Sequence, residues 1–302
     1  MTEDIIEIYT EHPHYSTDEV FSPKTKLIRG FTEKNYNKKL HSQEFYEINI
    51  VMRGSANHYI GQRRITVSTG DTFIVPPNVM HGYDGGEGFD VYHILINPRF
   101  LEKNSAELGR LSAFPSFFRI DPLMREKTSA DIHFRLTDEE IKALTPRLDT
   151  LTVHSSERNE TVDRIISDAE ALIIIAELCS IYEHHSEALS ESNSDDAAFL
   201  ASIAHIYESY GEKLTVTELA RIARMSRNSY ISNFKRITGH TPARFLKLHR
   251  IDVIKQMLTE TSRSEAEIAS AVGLCDTSHL IKMFYSETGI TPSEFRRLKA
   301  TP

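Results

Sequence analysis

Six residues of the last third of the chain come round again fifty positions later: Phe234, Thr238, Gly239, Thr241, Pro242 and Phe245 recur as Phe284, Thr288, Gly289, Thr291, Pro292 and Phe295. Upstream, Thr215 and Glu218 return as Ser264 and Glu267 at an offset of 49. A Ser or Thr followed three residues later by Glu marks a helix start, because the hydroxyl and the carboxylate cap each other's backbone N–H. The difference of one residue makes the turn of the second copy longer by one. Each copy therefore reads as a capped helix, a brief turn and a second helix begun at Ser226 or Asp276. This is a helix-turn-helix written twice.

On the second helix of the first copy, Tyr230, Phe234 and Ile237 share one face, whereas Asn228, Ile231, Ser232 and Lys235 share the other, with Arg227 at the helix start. The second copy repeats this, with Leu280 and Phe284 inward and Ser278, Ile281, Lys282 and Tyr285 outward. A helix presented to the major groove of double-stranded DNA needs such a set. Asn takes adenine bidentately, Lys reaches guanine or phosphate, and an aliphatic side chain meets a thymine methyl. A single polar helix face is more often merely solvated; two copies joined by a helix change that weighing. The joining helix, from Pro242 to about Leu258, is ~26 Å long at 1.5 Å per residue, suited to hold two reading heads about one DNA turn apart. Charge agrees in sign. Residues 196–302 carry 15 Lys and Arg against 11 Asp and Glu, which leaves 20 against 32 for the rest of a chain whose net charge is −8.

The segment Ser264 to Phe295, with Glu267-Ile268-Ala269, Val272-Gly273, Asp276, Ser278, Phe284, Thr288-Gly289 and Thr291-Pro292, resembles the signature of AraC-type (AraC/XylS) transcription regulators. The resemblance covers about residues 196 to 299 and implies DNA binding, contact with RNA polymerase and control of transcription, most often as an activator. Three positions depart from the pattern. Leu274 stands where the family has an aromatic, a swap within the core. Ser232 stands where Arg is common, and Tyr285-Ser286 replaces a common Lys-Lys, which removes cations that seek phosphate or bases.

The front of the chain is of another kind. From about residue 26 to 97, short runs rich in Ile, Val, Tyr and Phe (Glu47 to Met52, Ala56 to Ile60, Arg64 to Val67, Thr72 to Val75, Val91 to Ile96) are separated by Gly54, Gly61, Gly70 and Pro76-Pro77. Such spacing predicts a β-sandwich or small barrel. From Leu136 the period changes. Val162, Ile165, Ile166, Ala169, Leu172, Ile173, Ala176 and Cys179 predict a long amphipathic helix, and Ile174, Ile175, Leu178 and Ile181 give it a second apolar side. Two apolar sides suggest a helix that covers the β-domain and also meets a second copy of the chain in a homodimer. The polar stretch Ser186 to Asp196 reads as a linker.

Within the strand region, His41, Gln43 and Glu47 have the spacing of His-x-His-x3-Glu, and His81 closes a second motif after Gly70 and Pro76. This resembles a metal-binding cupin with one His replaced by Gln. The amide oxygen of Gln43 is a poorer ligand than imidazole, and in AraC-type sensors the same scaffold usually takes an organic effector. The expectation is therefore that His41, Gln43, Glu47 and His81 bind a small molecule, a sugar, with no metal or other cofactor and no catalysis. A phosphorylated effector would also need a cation, for which Arg29, Arg53, Arg63 and Arg64 are candidates. A metal-dependent cupin enzyme fused to a DNA-binding domain and a constitutive DNA binder both stay open at this point.

The expected architecture is a two-domain α+β chain. A cupin-like β-barrel or jelly roll spans residues 1–135, a helical dimerisation region 136–186, a linker 187–195 and an all-α double helix-turn-helix domain 196–302. Acidic residues Glu3, Asp4, Glu7 and Glu11 occupy the start, where a secretory signal would be basic and then apolar, and Cys179 and Cys275 show no disulfide or zinc spacing. The expectation is a cytoplasmic protein with no membrane partner.

Overall fold

The computed structural model describes residues 12–61, 63–122, 125, 134–156, 161–190 and 195–299. Two compact units divide it. Among the described residues, one contains those up to Asn104 together with those of Phe117–His185; the other contains Ser105–Ser116 and those from Ser186 onward.

The first unit begins with β1 (His14–Tyr15), the short α1 (Thr17–Val20), β2 (Ile28–Glu33), β3 (Lys38–Gln43), β4 (Tyr46–Arg53) and β5 (Ser55–Ile60). It continues with β6 (Arg63–Ser68), β7 (Thr72–Val75), β8 (His81–Asp84), β9 (Asp90–Ile96) and α2 (Pro98–Lys103). The strands form a five-stranded sheet in the order β1-β3-β8-β5-β6 and a four-stranded sheet in the order β2-β9-β4-β7. Apolar side chains from both sheets, Val51, Val67, Phe73, Val75, Tyr83, Phe89 and Val91 among them, are packed into one core. The strands read from sequence appear within β4, β5, β6, β7 and β9. Among those not singled out, β3 and β8 have the sequences KKLHSQ and HGYD, with polar residues on both faces and His41, Gln43 and His81 buried.

After α3 (Ser105–Leu108) and a π-turn at Ser116–Ile120 come α4 (Asp138–His154) and α5 (Thr161–Ser190). The helix α4 starts with a capping box between Thr137 and Glu140 and is fastened to the four-stranded sheet through Tyr92 and Ser155. Tyr92 Oη donates to the Leu148 carbonyl at 2.7 Å, and Ser155 Oγ accepts from the Gly30 N–H at 2.7 Å. In α5 the buried face is Ala171, Ile174, Ile175, Leu178, Cys179 and Tyr182. Val162, Ile165 and Ile173 are exposed on another face. Cys179 thus belongs to the inner side, one position from where the periodicity put it.

Two boundaries differ from expectation. Residues 187–190, read as linker, continue α5, since Glu, Ala and Leu are strong helix formers that outweigh the Ser residues around them. Residues 105–116, read as part of the front domain, belong to the C-terminal unit, where α3 packs against the joining helix described next.

The second unit consists otherwise of α6 (Asp195–Glu208), α7 (Val216–Ile222), α8 (Arg227–Thr238), α9 (Pro242–Glu260), α10 (Glu265–Ala271), α11 (Thr277–Thr288) and α12 (Pro292–Lys299). Helices α7 and α8 make one helix-turn-helix, α10 and α11 the other, and the 19-residue α9 joins them. Among the described residues no helix is long and apolar enough to cross a membrane.

Candidate DNA-reading helices and a buried ligand cluster

The repeated residues set the ends of the two outer helices. Thr238 Oγ1 donates to the Phe234 carbonyl at 2.8 Å and accepts from the His240 N–H at 3.2 Å; Thr288 does the same with Phe284 at 2.9 Å and Ile290 at 3.4 Å. Gly239 and Gly289 then take left-handed φ of 76° and 75° as C-caps, a conformation that costs Gly little. Thr241 and Thr291 cap the helices that follow, with Pro242 and Pro292 in their first turns. At the front of each copy the match is looser. Ser264 and Glu267 form the full reciprocal box, whereas Thr215 only accepts from the Glu218 N–H. The Glu218 carboxylate lies instead 3.7 Å from His205.

Inside, Tyr230, Phe234 and Ile237 are buried in the first copy and Leu280, Met283 and Phe284 in the second. Phe199 and Phe245 pack on Phe234, and Phe295 packs on Phe284. Leu274, one of the positions that depart from the family pattern, is buried in the second core. Of the eight proposed DNA-reading residues, Arg227, Asn228, Ser232, Lys235, Ser278 and Lys282 are exposed and Ile231 is half-buried. Ile281 is half-buried against the second core, which divides it between packing and solvent.

Several contacts tie the two copies together. Arg250 Nε donates to the Tyr210 carbonyl at 2.8 Å and Nη2 to the Glu212 carbonyl at 2.9 Å. Glu287 on α11 pairs with Arg244 and with Lys247 of α9, the latter at 2.7 Å. Gly273, at φ 69°, meets Gly211 backbone to backbone so closely that an added Cβ would sit 2.2 Å from the Gly211 oxygen. A groove of about 570 Å³ opens between the copies, with Leu246, Leu274, Met283, Lys247, His279 and Lys282 among its walls. Arg244, Lys247 and His279 were not singled out from sequence, because their value depends on where the second copy folds.

In the β-unit, His41, Gln43, Glu47 and His81 converge and all are buried. Cross-strand pairing explains this. His41 on β3 faces His81 on β8 in register, with ring centroids 4.2 Å apart. Alternate residues of a strand share a face, so Gln43 joins His41. Its Nε2 donates to Glu47 Oε2 at 2.9 Å. Glu47, on β4, is also 3.3 Å from His81 Nε2 and 2.7 Å from His93 Nδ1. His41 Nδ1 and His81 Nδ1 each lie against a backbone carbonyl, of Lys39 at 3.0 Å and of Val79 at 3.1 Å.

Two histidines were missed. His58 on β5 is fully buried, stacked between Phe73 and Tyr83 at 4.8 and 4.5 Å, and neither of its ring nitrogens has a hydrogen-bond partner among the described residues. The alternation of Ala56, His58 and Ile60 on an expected strand was the signal that pointed inward. His93 lies in β9, where Val91 to Ile96 are all buried, so alternation offers no cue. Burial lowers the His41 pKa to about 4, helped by neighbouring His81, and lowers that of His58 well below the usual range. Burial pushes the Glu47 carboxyl up, but His81 and His93 beside it outweigh this and hold it well below the usual carboxylate range. Arg125, also buried, places its guanidinium 4.6 Å over Phe73 with Nη1 and Nη2 unpartnered among the described residues. It was not among the candidate cations.

The chain matches the family described as "AraC-like ligand binding domain" over residues 26–203, more than half its length, and "Helix-turn-helix domain" over residues 219–298. The HTH-type transcriptional activator RhaR of Mannheimia succiniciproducens is 24% identical over 85% of this chain and 86% of its own. RhaS of Escherichia fergusonii, likewise an HTH-type transcriptional activator, is 22% identical over 85% and 87%. The RCS-specific HTH-type transcriptional activator RclR of Escherichia coli is 36% identical over 32% of this chain and 34% of its own. A ligand-binding β-domain followed by two linked helix-turn-helix units defines a DNA-binding transcription regulator. This chain belongs to the AraC family of such regulators.

Proposed function

We propose that this regulator reads an operator through Arg227, Asn228, Ile231, Ser232 and Lys235 of α8 and through Ser278, Ile281 and Lys282 of α11, and that it activates transcription by contact with RNA polymerase. The observation that carries this reading is the repeated geometry: two reading helices, each with a polar N-cap, a glycine C-cap and an exposed face, joined by one helix and locked by Arg250 and Glu287. The test compares Asn228→Ala and Lys282→Ala on specific and random duplexes. A lost bidentate base contact costs ~1 to 3 kcal/mol of discrimination; wild-type specificity in both variants would sink the assignment.

The protein acts in the cytoplasm as a homodimer rather than as an enzyme. The exposed apolar residues Val162, Ile165 and Ile173 of α5 support the dimer, since neighbouring turns of one helix carry them unpartnered. Ile165→Glu with Ile173→Glu is expected to give monomers in sedimentation with the β-unit still folded, and a wild-type monomer at micromolar concentration would contradict it.

The effector is a small polar molecule, a sugar or sugar acid, held in the β-unit through His41, Gln43, Glu47 and His81. Buried polar groups normally have partners, yet both nitrogens of His58, the Asn49 amide, Tyr83 Oη and two nitrogens of Arg125 have none among the described residues. A polyhydroxylated ligand satisfies such groups, and Arg125, whose Nε donates to the buried Asp121 carboxylate at 3.2 Å, keeps the N–H groups of Nη1 and Nη2 for ligand oxygens. Calorimetry with neutral sugars and their acids, on wild type and Arg125→Met, separates the two classes.

A further inference from the structure

We propose that the centre of the β-unit is a divalent transition-metal site, with Nε2 of His41, Nε2 of His81 and the carboxylate of Glu47 as its ligands, and that the effector of the preceding reading binds at the metal's remaining positions. The expectation of a metal-free pocket rested on counting Gln43 as a weak ligand. In the structure Gln43 acts on the carboxylate instead, since its amide donates to Glu47 Oε2 at 2.9 Å and so orients it. Without it, two histidines and one carboxylate remain, with their ligand atoms all within 4.8 Å of one another. Two His and one carboxylate with open positions is a set that binds first-row divalent ions and leaves room for a substrate or effector.

The surroundings have the form such a site requires. A carbonyl oxygen only accepts, so the contacts of His41 Nδ1 with the Lys39 carbonyl and of His81 Nδ1 with the Val79 carbonyl make both Nδ1 atoms donors. Neutral, each ring then offers its Nε2 lone pair. This is the outer bonding found around metal-bound imidazoles, which fixes tautomer and ring orientation. His93 Nδ1 holds the other Glu47 oxygen at 2.7 Å. Three side chains that accept bonds are thus aimed together inside a buried core, where the charge on Glu47 calls for positive charge between it and the rings. His58, whose two ring nitrogens are unpartnered among the described residues, stands close by with its ring 6.2 Å from that of His81, able to bond a metal-bound water or an effector hydroxyl.

The experiment uses untagged full-length protein, stripped by chelation and reloaded with Zn²⁺, Mn²⁺ or Co²⁺. One equivalent per chain is expected by mass spectrometry, with a Co²⁺ absorption spectrum of mixed nitrogen and oxygen ligation. His81→Gln and Glu47→Gln should lose the equivalent. His93→Gln, which removes a hydrogen bond to the Glu47 carboxylate, should weaken binding 10- to 100-fold, and Gln43→His, which adds an imidazole, should tighten it. Binding that is substoichiometric, or unchanged in all four variants and so due to other histidines, overturns the inference. Effector calorimetry on stripped and reloaded protein separates the two readings. An effector that binds both forms equally overturns the metal-bound mode and leaves the sugar reading standing, whereas stoichiometric metal with no sugar bound to either form overturns only the sugar reading.

Discussion

The two helix-turn-helix copies share a repeat but solve one local problem differently. The turn between α7 and α8 has Arg224 at φ 54°, and the corresponding residue of the second copy is Gly273 at 69°. A side chain in the left-handed region costs roughly 1 kcal/mol or more, and Gly avoids most of it. Both positions are exposed, and the first copy has a side chain at its own. The second has no such freedom, because Gly273 lies against Gly211. One copy therefore has a side chain at the left-handed position of its turn, and the other a glycine whose turn meets its neighbour.

The strongest way to break this comparison is Gly273→Ala. A Cβ there clashes with backbone and keeps the positive φ, so a loss of about 2–4 kcal/mol is expected in denaturant unfolding of the C-terminal unit. If the variant were as stable as wild type, the close approach would carry no energy.

Next in size is an exchange on the reading faces. Lys235 of α8 has Tyr285 of α11 as its repeat partner, and both are exposed. Lys235→Tyr should make the salt dependence of DNA binding shallower by about one unit of slope in log K against log salt, and Tyr285→Lys should steepen it equally. Unequal responses would show that only one of these positions meets phosphate.

A smaller effect belongs to Glu287. Pairing with Arg244 and Lys247 draws its pKa down to about 2. A carboxyl lowered on folding stabilises above its unfolded pKa, near 4.5, and that contribution disappears as pH falls toward 2. Glu287→Gln should cost about 1 kcal/mol at pH 7, and its difference from wild type should vanish in acid unfolding between about pH 4.5 and 2. A pH-independent difference would assign the cost to packing instead.

Smallest is Arg224→Gly, expected to stabilise the first copy by about 0.5 kcal/mol by relieving the left-handed residue at some entropic cost.

The same contrast explains what was legible in the sequence. Caps, terminal glycines and buried aromatics are local, and Thr238, Gly239 and Thr241 announce a helix end wherever they occur. The offset of 49 against 50 even gave the longer turn. Contacts such as Arg250 to Tyr210 depend on the assembled fold and left no pattern. In the β-unit, His41, Gln43, Glu47 and His81 were legible as a spacing, yet the inward side chains that make the cluster also hid β3 and β8, since polar residues on both faces erase the alternation that marks a strand. Gln43 reads as a poor ligand because sequence gives a residue's place in a motif, not the atom it faces.

The lock formed by Gly211, Gly273, Arg250 and Glu287 has a consequence for the DNA rather than for the protein. Each base pair added between two recognition elements rotates one relative to the other by roughly 35° and moves it ~3.4 Å along the axis. A flexible pair of heads would follow that rotation. A fixed pair leaves it to the duplex to twist or bend, at a cost set by the stiffness of the intervening bases. This regulator should therefore select the helical phase of its sites as well as their letters, and an operator lengthened by one base pair should bind worse even with both recognition elements intact.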